Sequence, residues 1–264
     1  MTDLQHLQKV ILDIAKYIDS LCIKNGIEYY LLGGSAIGAV RHNGFIPWDD
    51  DLDIVMDAKN YDKFIKVCRE QLDTNKYYFQ EGLVDWPMPF SKVKLKGTVL
   101  EEPSGFVNET GERGIYVDVF KVENAPASSI GQKWQYLCAK YFLCYCLLVR
   151  GWDNTSFKNR LMMACASPLK ICTLRRFVRH QIEKYNETDA PCRMFYAGRY
   201  RLHTSFYDKS IFSNPLRVPF EDTELPVPAK YDEWLTQIFG DYMTPPPAKE
   251  QVGLHLRGVD FGEY

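Results

Sequence analysis

The chain has 264 residues, of which 46% are hydrophobic and 25% are charged, and this balance excludes a disordered, collagen-like or coiled-coil protein. Its 32 basic residues nearly offset its 34 acidic residues, and the resulting net charge of -2 argues against a protein that mainly coats nucleic acid. The length suits one large domain, or two small lobes that share a core.

The first half of the chain predicts alternating helices and strands. Apolar residues at helical spacing indicate a helix over 3–24, which Asn25-Gly26 ends. An amphipathic helix over 58–72 takes Asp57 as its N-cap. The predicted strands are 28–32, 52–56, 77–80, 90–96 and 114–120. In the strand over 90–96, lysines alternate with valine and leucine, which predicts that one of its faces lies in water.

The second half reads as mainly helical. The predicted helices are 130–150, 156–166, 169–186 and 230–239, and the last of them follows a β-like segment after residue 215. The stretch 134–149 is strongly apolar, but it is shorter than a membrane-spanning helix and contains Lys140. It therefore predicts a buried core helix, with a membrane-facing helix as the alternative. Together the elements predict an α+β fold with three parts, namely 1–125, a helical and loop-rich extension over 126–215, and a C-terminal segment over 216–264 that returns to the core.

Eight cysteines bear on the compartment and on zinc binding. None forms a C-x-x-C pair and no paired histidine motif lies nearby, so a zinc site is not expected. The N-terminus is polar and shows no secretory signal. These features predict a cytoplasmic protein whose cysteines stay reduced.

The carboxylates of residues 49–53 are the most informative feature of the sequence. Asp51 and Asp53 are two residues apart at the start of a predicted strand, so they face the same side, and paired carboxylates suit a hard ion such as Mg²⁺. Gly33-Gly34-Ser35 lies between a strand and a helix, where free backbone amides bind phosphate. Asp118 lies on an apolar strand, which is costly unless it binds a metal or pairs with a base such as Arg113. A solvated acidic loop is the alternative for 49–53. The combination predicts phosphoryl chemistry on a nucleotide.

Three blocks of sequence carry a family resemblance. GGSAIGAVRHNGFIPWDDDLD resembles the first block of the LicD family, the phosphocholine transferases that decorate bacterial surface glycans and that belong to the nucleotidyltransferase superfamily. GIYVDVF is similar to the family's second block, and VPAKYDEWLTQIFGDYMTPPP to its closing block. Fukutin-type ribitol-phosphate transferases are relatives of this family. The resemblance implies a nucleotidyltransferase-like mixed β-sheet flanked by helices, with a helical extension.

The resemblance also implies roles for individual residues. The implied catalytic and metal-binding residues are Asp51, Asp53 and Asp118, with Mg²⁺ as the cofactor and Mn²⁺ as its substitute. The implied ligands of the donor phosphates are Gly33, Gly34, Ser35 and Arg41. The residues expected to support the site are Trp48, Asp49, Asp50 and His255. The alternative for Arg41 is a surface salt bridge, and the alternative for His255 is a place in an uninvolved tail.

The implied reaction is the Mg²⁺-dependent transfer of a phospho-alcohol, phosphocholine foremost, from a CDP-alcohol to a hydroxyl of a glycan precursor of lipopolysaccharide, teichoic acid or capsule. Nucleic acid is not an expected partner. Two alternatives stay open: a nucleotidyltransferase that moves NMP from an NTP, and a degenerate, non-catalytic binding protein. If the substituent is choline, aromatic faces would bind it, although core packing is the favoured role for the candidates. These candidates are Trp152, Tyr196, Tyr200, Phe206 and Tyr207.

A basic stretch at 174–180 bears on membrane contact. Arg175 and Arg179 share a helix face that would attract an anionic acceptor or a membrane surface, although a solvated face is the favoured interpretation. Peripheral membrane contact is therefore an expectation, and the sequence does not predict an oligomeric state.

Overall fold

The computed structural model describes residues 2–101, 111–151, 156–198, 200–253 and 258–264. Its helices are α1 (Asp3–Asn25), α2 (Gly33–His42), α3 (Ala58–Gln71), α4 (Ser129–Arg150), α5 (Phe157–Ala166), α6 (Cys172–Glu183) and α7 (Tyr231–Phe239). Its strands are β1 (Tyr30–Leu31), β2 (Asp53–Asp57), β3 (Tyr77–Gln80), β4 (Ser91–Leu95), β5 (Val99–Leu100), β6 (Tyr116–Ala125), β7 (Cys192–Met194), β8 (Phe206–Asp208), β9 (Pro215–Phe220), β10 (Thr223–Pro228) and β11 (Val259–Asp260).

The main sheet is mixed, which confirms the predicted fold class. Its strand order is β1-β2-β6-β4-β3, and only the β2–β6 pair along this path is parallel. The far end of β6 also pairs with β7, and β7 pairs with β8. The stretch 126–215 therefore contributes two strands to the sheet besides its helices.

Local sequence signals set most element ends as predicted. Gly26 follows α1 in the left-handed conformation, with φ of 58°, and its amide caps the helix. The Asp57 side chain accepts a hydrogen bond from the Asn60 amide at 2.8 Å and begins α3. The prediction of a water-facing side on β4 is wrong, because all five of its residues are buried between β3 and β6.

Helix α4 has alternating buried and exposed positions. Cys138, Phe142 and Cys146 are buried, while Leu137 is 60% exposed. In the part of the chain that the structure describes, no helix is long and apolar enough to cross a bilayer.

The C-terminal segment is fastened to α1 through a charged contact. The hairpin β9–β10 is antiparallel, and Arg217 on β9 donates two hydrogen bonds to the Asp19 carboxylate, at 3.0 Å and 2.8 Å. The Tyr29 hydroxyl donates a third bond to Asp19 at 2.8 Å. Because Asp19 is 8% exposed, its charge depends on these three donors for stabilisation.

Replacing this carboxylate is expected to lower stability. Asp19→Asn removes the charge that Arg217 contacts, and it should reduce the free energy of unfolding by about 2 kcal/mol. Urea unfolding measures the change. Asp13→Asn, on an exposed position of the same helix, is the matched control and should stay within about 0.5 kcal/mol of the parent. Equal stability of the two variants would contradict the prediction.

Candidate active site

The turn into α2 is joined directly to the first residue of β2. Gly33 begins the helix with φ of 55°, a backbone conformation that glycine adopts without strain. The Ser35 hydroxyl accepts a hydrogen bond from the Asp53 amide at 2.9 Å, and the Leu32 amide donates to the Asp53 carbonyl at 2.9 Å. The amino end of α2, where helix amides favour anions, therefore adjoins Asp53.

Four polar residues form a row across the centre of the sheet. Asp53 on β2 is in register with Asp118 on β6, Asp118 is in register with Lys92 on β4, and Lys92 with Gln80 on β3. Directly opposed residues of neighbouring strands share a face, so the two aspartates and the lysine come together. The parallel β2–β6 pair thus sets Asp53 and Asp118 side by side.

Lys92 is the basic partner of Asp118, in place of the Arg113 considered from the sequence. Its ammonium lies 3.6 Å from Asp118 Oδ1, and the two side chains are 3% and 15% exposed. The same ammonium lies 3.3 Å above the ring centre of Tyr116 and 5.0 Å from that of Trp86. These aromatic faces and the carboxylate offset the cost of burying the lysine.

Burial and repulsion by neighbouring carboxylates together shape the electrostatics of Asp53. The pKa of Asp53 is raised well above its ordinary value, first by burial and then by the charges of Asp51, Asp118 and Asp49. A divalent cation would relieve this repulsion, so the carboxylate oxygens suit a hard ion.

A Mg²⁺ ion at this site would need ligands in addition to the protein's side chains. Within residues 2–101, 111–151, 156–198, 200–253 and 258–264, no three His, Cys, Asp or Glu side chains are grouped so that they could hold a metal ion. Mg²⁺ commonly takes one or two carboxylates and completes its coordination with substrate phosphates and water. Ligation by Asp51, Asp53 and Asp118 stays a prediction, and a site completed by the donor's phosphates agrees with the geometry.

The three residues before Asp51 have different neighbours. The Asp49 carboxylate lies against Gly34, where a β-carbon would be 2.8 Å from its Oδ2 atom. Asp50 is 1% exposed and lies beside Gly253 of the C-terminal segment. Trp48 is partly buried against the core, edge-on to His42 at 6.3 Å between ring centres. These placements suit a supporting role for all three, which stays a prediction.

The structure does not bring Arg41 beside the carboxylates. Arg41 lies in the last turn of α2, about 12 Å along the axis from Gly33 at 1.5 Å per residue. Its guanidinium donates to the Tyr242 carbonyl at 2.5 Å and to His42 Nε2 at 3.0 Å. A contact between Arg41 and the donor phosphates therefore stays a prediction. His255 lies outside the described residues.

Tyr200 is a site residue whose position the sequence did not reveal. A β-carbon on Gly33 would lie 3.9 Å from the Tyr200 hydroxyl. Burial raises the pKa of Tyr200, and the nearby charge of Asp53 raises it further. The sequence offered Tyr200 as one of several aromatic candidates, whereas the structure places its hydroxyl at the amino end of α2.

Helix α4 holds the loop that presents Tyr200. The Lys140 ammonium donates to the carbonyls of Tyr196, at 3.1 Å, and Gly198, at 2.8 Å. The Tyr136 hydroxyl donates to the Tyr200 carbonyl at 3.0 Å. The extension thereby positions a residue of the candidate site.

The other aromatic candidates divide into two groups. Tyr196 and Tyr207 are buried, and the Tyr207 ring packs edge-on to Trp234 at 6.1 Å between centres, so both are packing residues. Phe206 is partly buried against the core, and Trp152 lies outside the described residues.

Comparison with known proteins identifies the relatives of this chain. Residues 26–140 match the model of the LicD/FKTN/FKRP nucleotidyltransferase domain. The chain is 27% identical to the lipopolysaccharide cholinephosphotransferase LicD of Haemophilus influenzae, in an alignment 263 positions long that covers 96% of each chain. It is 43% identical to the human ribitol 5-phosphate transferase FKRP over 42 residues, which is 16% of this chain and 8% of that protein.

The Lys92–Asp118 pair makes a testable contribution to stability. Lys92→Met leaves a buried carboxylate without its cation and should lower the free energy of unfolding by about 2 kcal/mol. The double variant that adds Asp118→Asn should recover most of this loss, because neither charge then remains. Urea unfolding without added metal measures the full double-mutant cycle. Strictly additive losses would contradict the pairing.

The buried Lys140 predicts a pH dependence. Burial lowers the pKa of its amine from 10.5 to about 8. Between these values the unfolded chain still binds the proton while the folded chain has lost it, so this group makes folding more favourable as pH rises. The stability of the parent relative to Lys140→Met should therefore increase with pH across that interval. Urea unfolding of both proteins at several pH values measures the difference, and a flat or falling difference would contradict the prediction.

Proposed function

We propose that this chain, whose residues 26–140 match the LicD/FKTN/FKRP nucleotidyltransferase domain, is a phosphotransferase of the LicD family that transfers a phospho-alcohol from a CDP-alcohol to a hydroxyl of a cell-surface glycan precursor. The observation that carries the proposal is the Asp53–Asp118 pair on two adjacent parallel strands beside the amino end of α2. This arrangement sets an anion-binding helix end next to carboxylates that suit a divalent cation.

Phosphocholine is the favoured group for transfer. The relative named as a lipopolysaccharide cholinephosphotransferase aligns along 96% of this chain, whereas the one named as a ribitol 5-phosphate transferase aligns along 16%. The longer alignment includes the extension, which positions Tyr200. It also favours a lipopolysaccharide-type glycan over teichoic acid or capsule as the acceptor.

Contacts with the aromatic rings near Lys92 limit where a choline group would bind. Lys92 lies over Tyr116, and Arg150 lies 5.0 Å from the ring centre of Trp86. These rings already face cations of the chain itself. Tyr200, at the amino end of α2, is then the aromatic residue best placed to contact a quaternary ammonium.

The residues divide the work of the reaction. The backbone amides of Gly33 and Gly34 and the hydroxyl of Ser35 orient the donor's diphosphate. Asp51, Asp53 and Asp118 would hold Mg²⁺, or Mn²⁺ in its place. The bound ion would neutralise the diphosphate and polarise the attacked phosphorus. The ammonium of Lys92 lies beside the Asp118 carboxylate and offsets part of its negative charge.

The transfer itself exchanges the phosphoanhydride bond of the donor for a phosphoester bond to the acceptor. A carboxylate of the same cluster accepts the proton of the acceptor hydroxyl. The acceptor oxygen forms a bond to the phosphorus that carries the alcohol, the bond from that phosphorus to the bridging oxygen breaks, and CMP leaves with the electron pair. The product is a glycan that carries the alcohol through a phosphodiester.

We also place this reaction in a reducing compartment such as the cytoplasm. All eight cysteines are free thiols, and Cys22, Cys68, Cys138 and Cys146 among them are buried. Free thiols persist where the cell keeps them reduced, which supports a cytoplasmic location.

Release of CMP tests the proposal. The protein should release CMP from CDP-choline when Mg²⁺ and a glycan acceptor are present, and less from CDP-ribitol or CDP-glycerol. Asp53→Asn should lower kcat at least about 100-fold, because it removes a charge that the cation requires. Its thermal midpoint should stay close to that of the parent.

The control for Asp53→Asn replaces an aspartate outside the candidate site. Asp13→Asn, an exposed aspartate on α1, should keep full activity. Undiminished turnover by Asp53→Asn would overturn the metal assignment. Release of pyrophosphate from CTP or ATP, with no CMP from any CDP-alcohol, would indicate the nucleotidyltransferase alternative.

A further inference from the structure

The charge of the chain is unevenly distributed. Residues 126–186 contain ten lysines and arginines against two acidic residues, a net charge of +8, whereas the whole chain carries -2. The remainder of the chain is therefore strongly acidic. The helices α4, α5 and α6 lie in this basic region.

Large apolar side chains are exposed in the same region. Phe157 and Leu161 on α5 are 80% and 54% exposed. The exposed apolar residues of α4 include Ile130, Trp134 and Leu137, Phe177 is exposed on α6, and the exposed Ile171 directly precedes α6. The exposed cations between and beside them are Lys133, Lys158, Arg160, Lys170 and Arg176. These twelve residues are called the basic-apolar face.

Contacts of α4 with α5 and with α6 bring the three helices of this face together. The Trp134 indole on α4 donates to Gln181 on α6 at 3.1 Å, one turn beyond Phe177. The Tyr141 hydroxyl on α4 donates to the Cys165 carbonyl on α5 at 3.1 Å, one turn beyond Leu161. The exposed positions of α4 recur at helical spacing and thus run between the other two helices.

We infer that the basic-apolar face docks the protein on a bilayer surface that contains anionic lipid. Helices that lie in the membrane interface combine exposed aromatic and aliphatic side chains with lysine and arginine, as these do. The cations would meet lipid phosphates, and the apolar side chains would enter the boundary between headgroups and acyl chains. Helix α5 is the main inserting element, because only Met163 and Ala166 of its ten residues are buried.

Charge decides between a bilayer and a second copy of this chain. Two copies that met face to face would bring together two surfaces from regions of charge +8, and they would repel each other. An anionic bilayer offers the opposite charge over a large area. The inference concerns a surface separate from the carboxylates and does not depend on the reaction proposed above.

Vesicle sedimentation tests the inference with the full chain. The protein should sediment with vesicles of phosphatidylcholine mixed with phosphatidylglycerol, and much less with phosphatidylcholine alone. Binding should weaken as salt increases. The triple variant Lys158→Ser, Arg160→Ser and Arg176→Ser should lower the partition coefficient by about 100-fold, at about fivefold for each cation near the surface. The double variant Phe157→Ser and Leu161→Ser should lower it at least about tenfold.

Matched variants control for charge and apolarity in general. The charge control is the triple variant Lys9→Ser, Lys24→Ser and Lys249→Ser, and the apolar control is the double variant Ile23→Ser and Met243→Ser. All five residues are exposed and lie outside the extension. Both control sets should bind vesicles like the parent. Circular dichroism establishes that each variant folds, and any variant that does not fold is replaced by its single substitutions.

Three outcomes would overturn the inference. One is an absence of sedimentation with the anionic vesicles. A second is equal loss of binding in the matched controls, which would indicate a general charge effect. The third is a dimer in solution without lipid that the Phe157→Ser and Leu161→Ser variant dissociates, which would assign the face to a second copy. The inference is supported if the variants of the basic-apolar face lose vesicle binding but still release CMP with a soluble acceptor.

Discussion

The site depends on two carboxylates held side by side within a sheet. Asp53 and Asp118 are paired in register on parallel strands, so neither can withdraw from the other without breaking the sheet. Burial and mutual repulsion raise the pKa of Asp53. Lys92, the next residue in the row, offsets part of the negative charge. The arrangement leaves an excess of negative charge that a divalent cation and its bound phosphates would balance.

Helices α2 and α4 position the groups that surround Asp53 and Asp118. The Ser35 hydroxyl accepts a hydrogen bond from the Asp53 amide, which fixes the amino end of α2 beside the carboxylates. Lys140 on α4 holds the loop that brings Tyr200 to Gly33. The extension therefore takes part in the geometry of the site, in addition to forming the basic-apolar face.

The sequence predicted the features that depend on residues close together in the chain. The caps of α1 and α3 and the strand that carries Asp53 follow from spacing and residue type, while metal ligation by Asp51, Asp53 and Asp118 stays a prediction. The alternation of lysine with valine and leucine in β4 predicted a wet face, yet the strand lies inside the sheet and Lys92 is buried. Nothing local to β4 shows which strands flank it. Likewise, hydrogen bonds between α4 and a loop distant in the sequence set the position of Tyr200. The hydrophobic periodicity of the sequence does not predict such contacts.

We propose that the carboxylate row forms a divalent-cation site that the donor's phosphates complete. Electron paramagnetic resonance of Mn²⁺ titrated into the protein, with and without CDP-choline, measures this binding. We expect CDP-choline to tighten Mn²⁺ binding, and we expect the folded double variant of Asp53→Asn and Asp118→Asn to lose it. Unchanged Mn²⁺ binding by that variant, with CDP-choline present, would show that these carboxylates do not hold the ion.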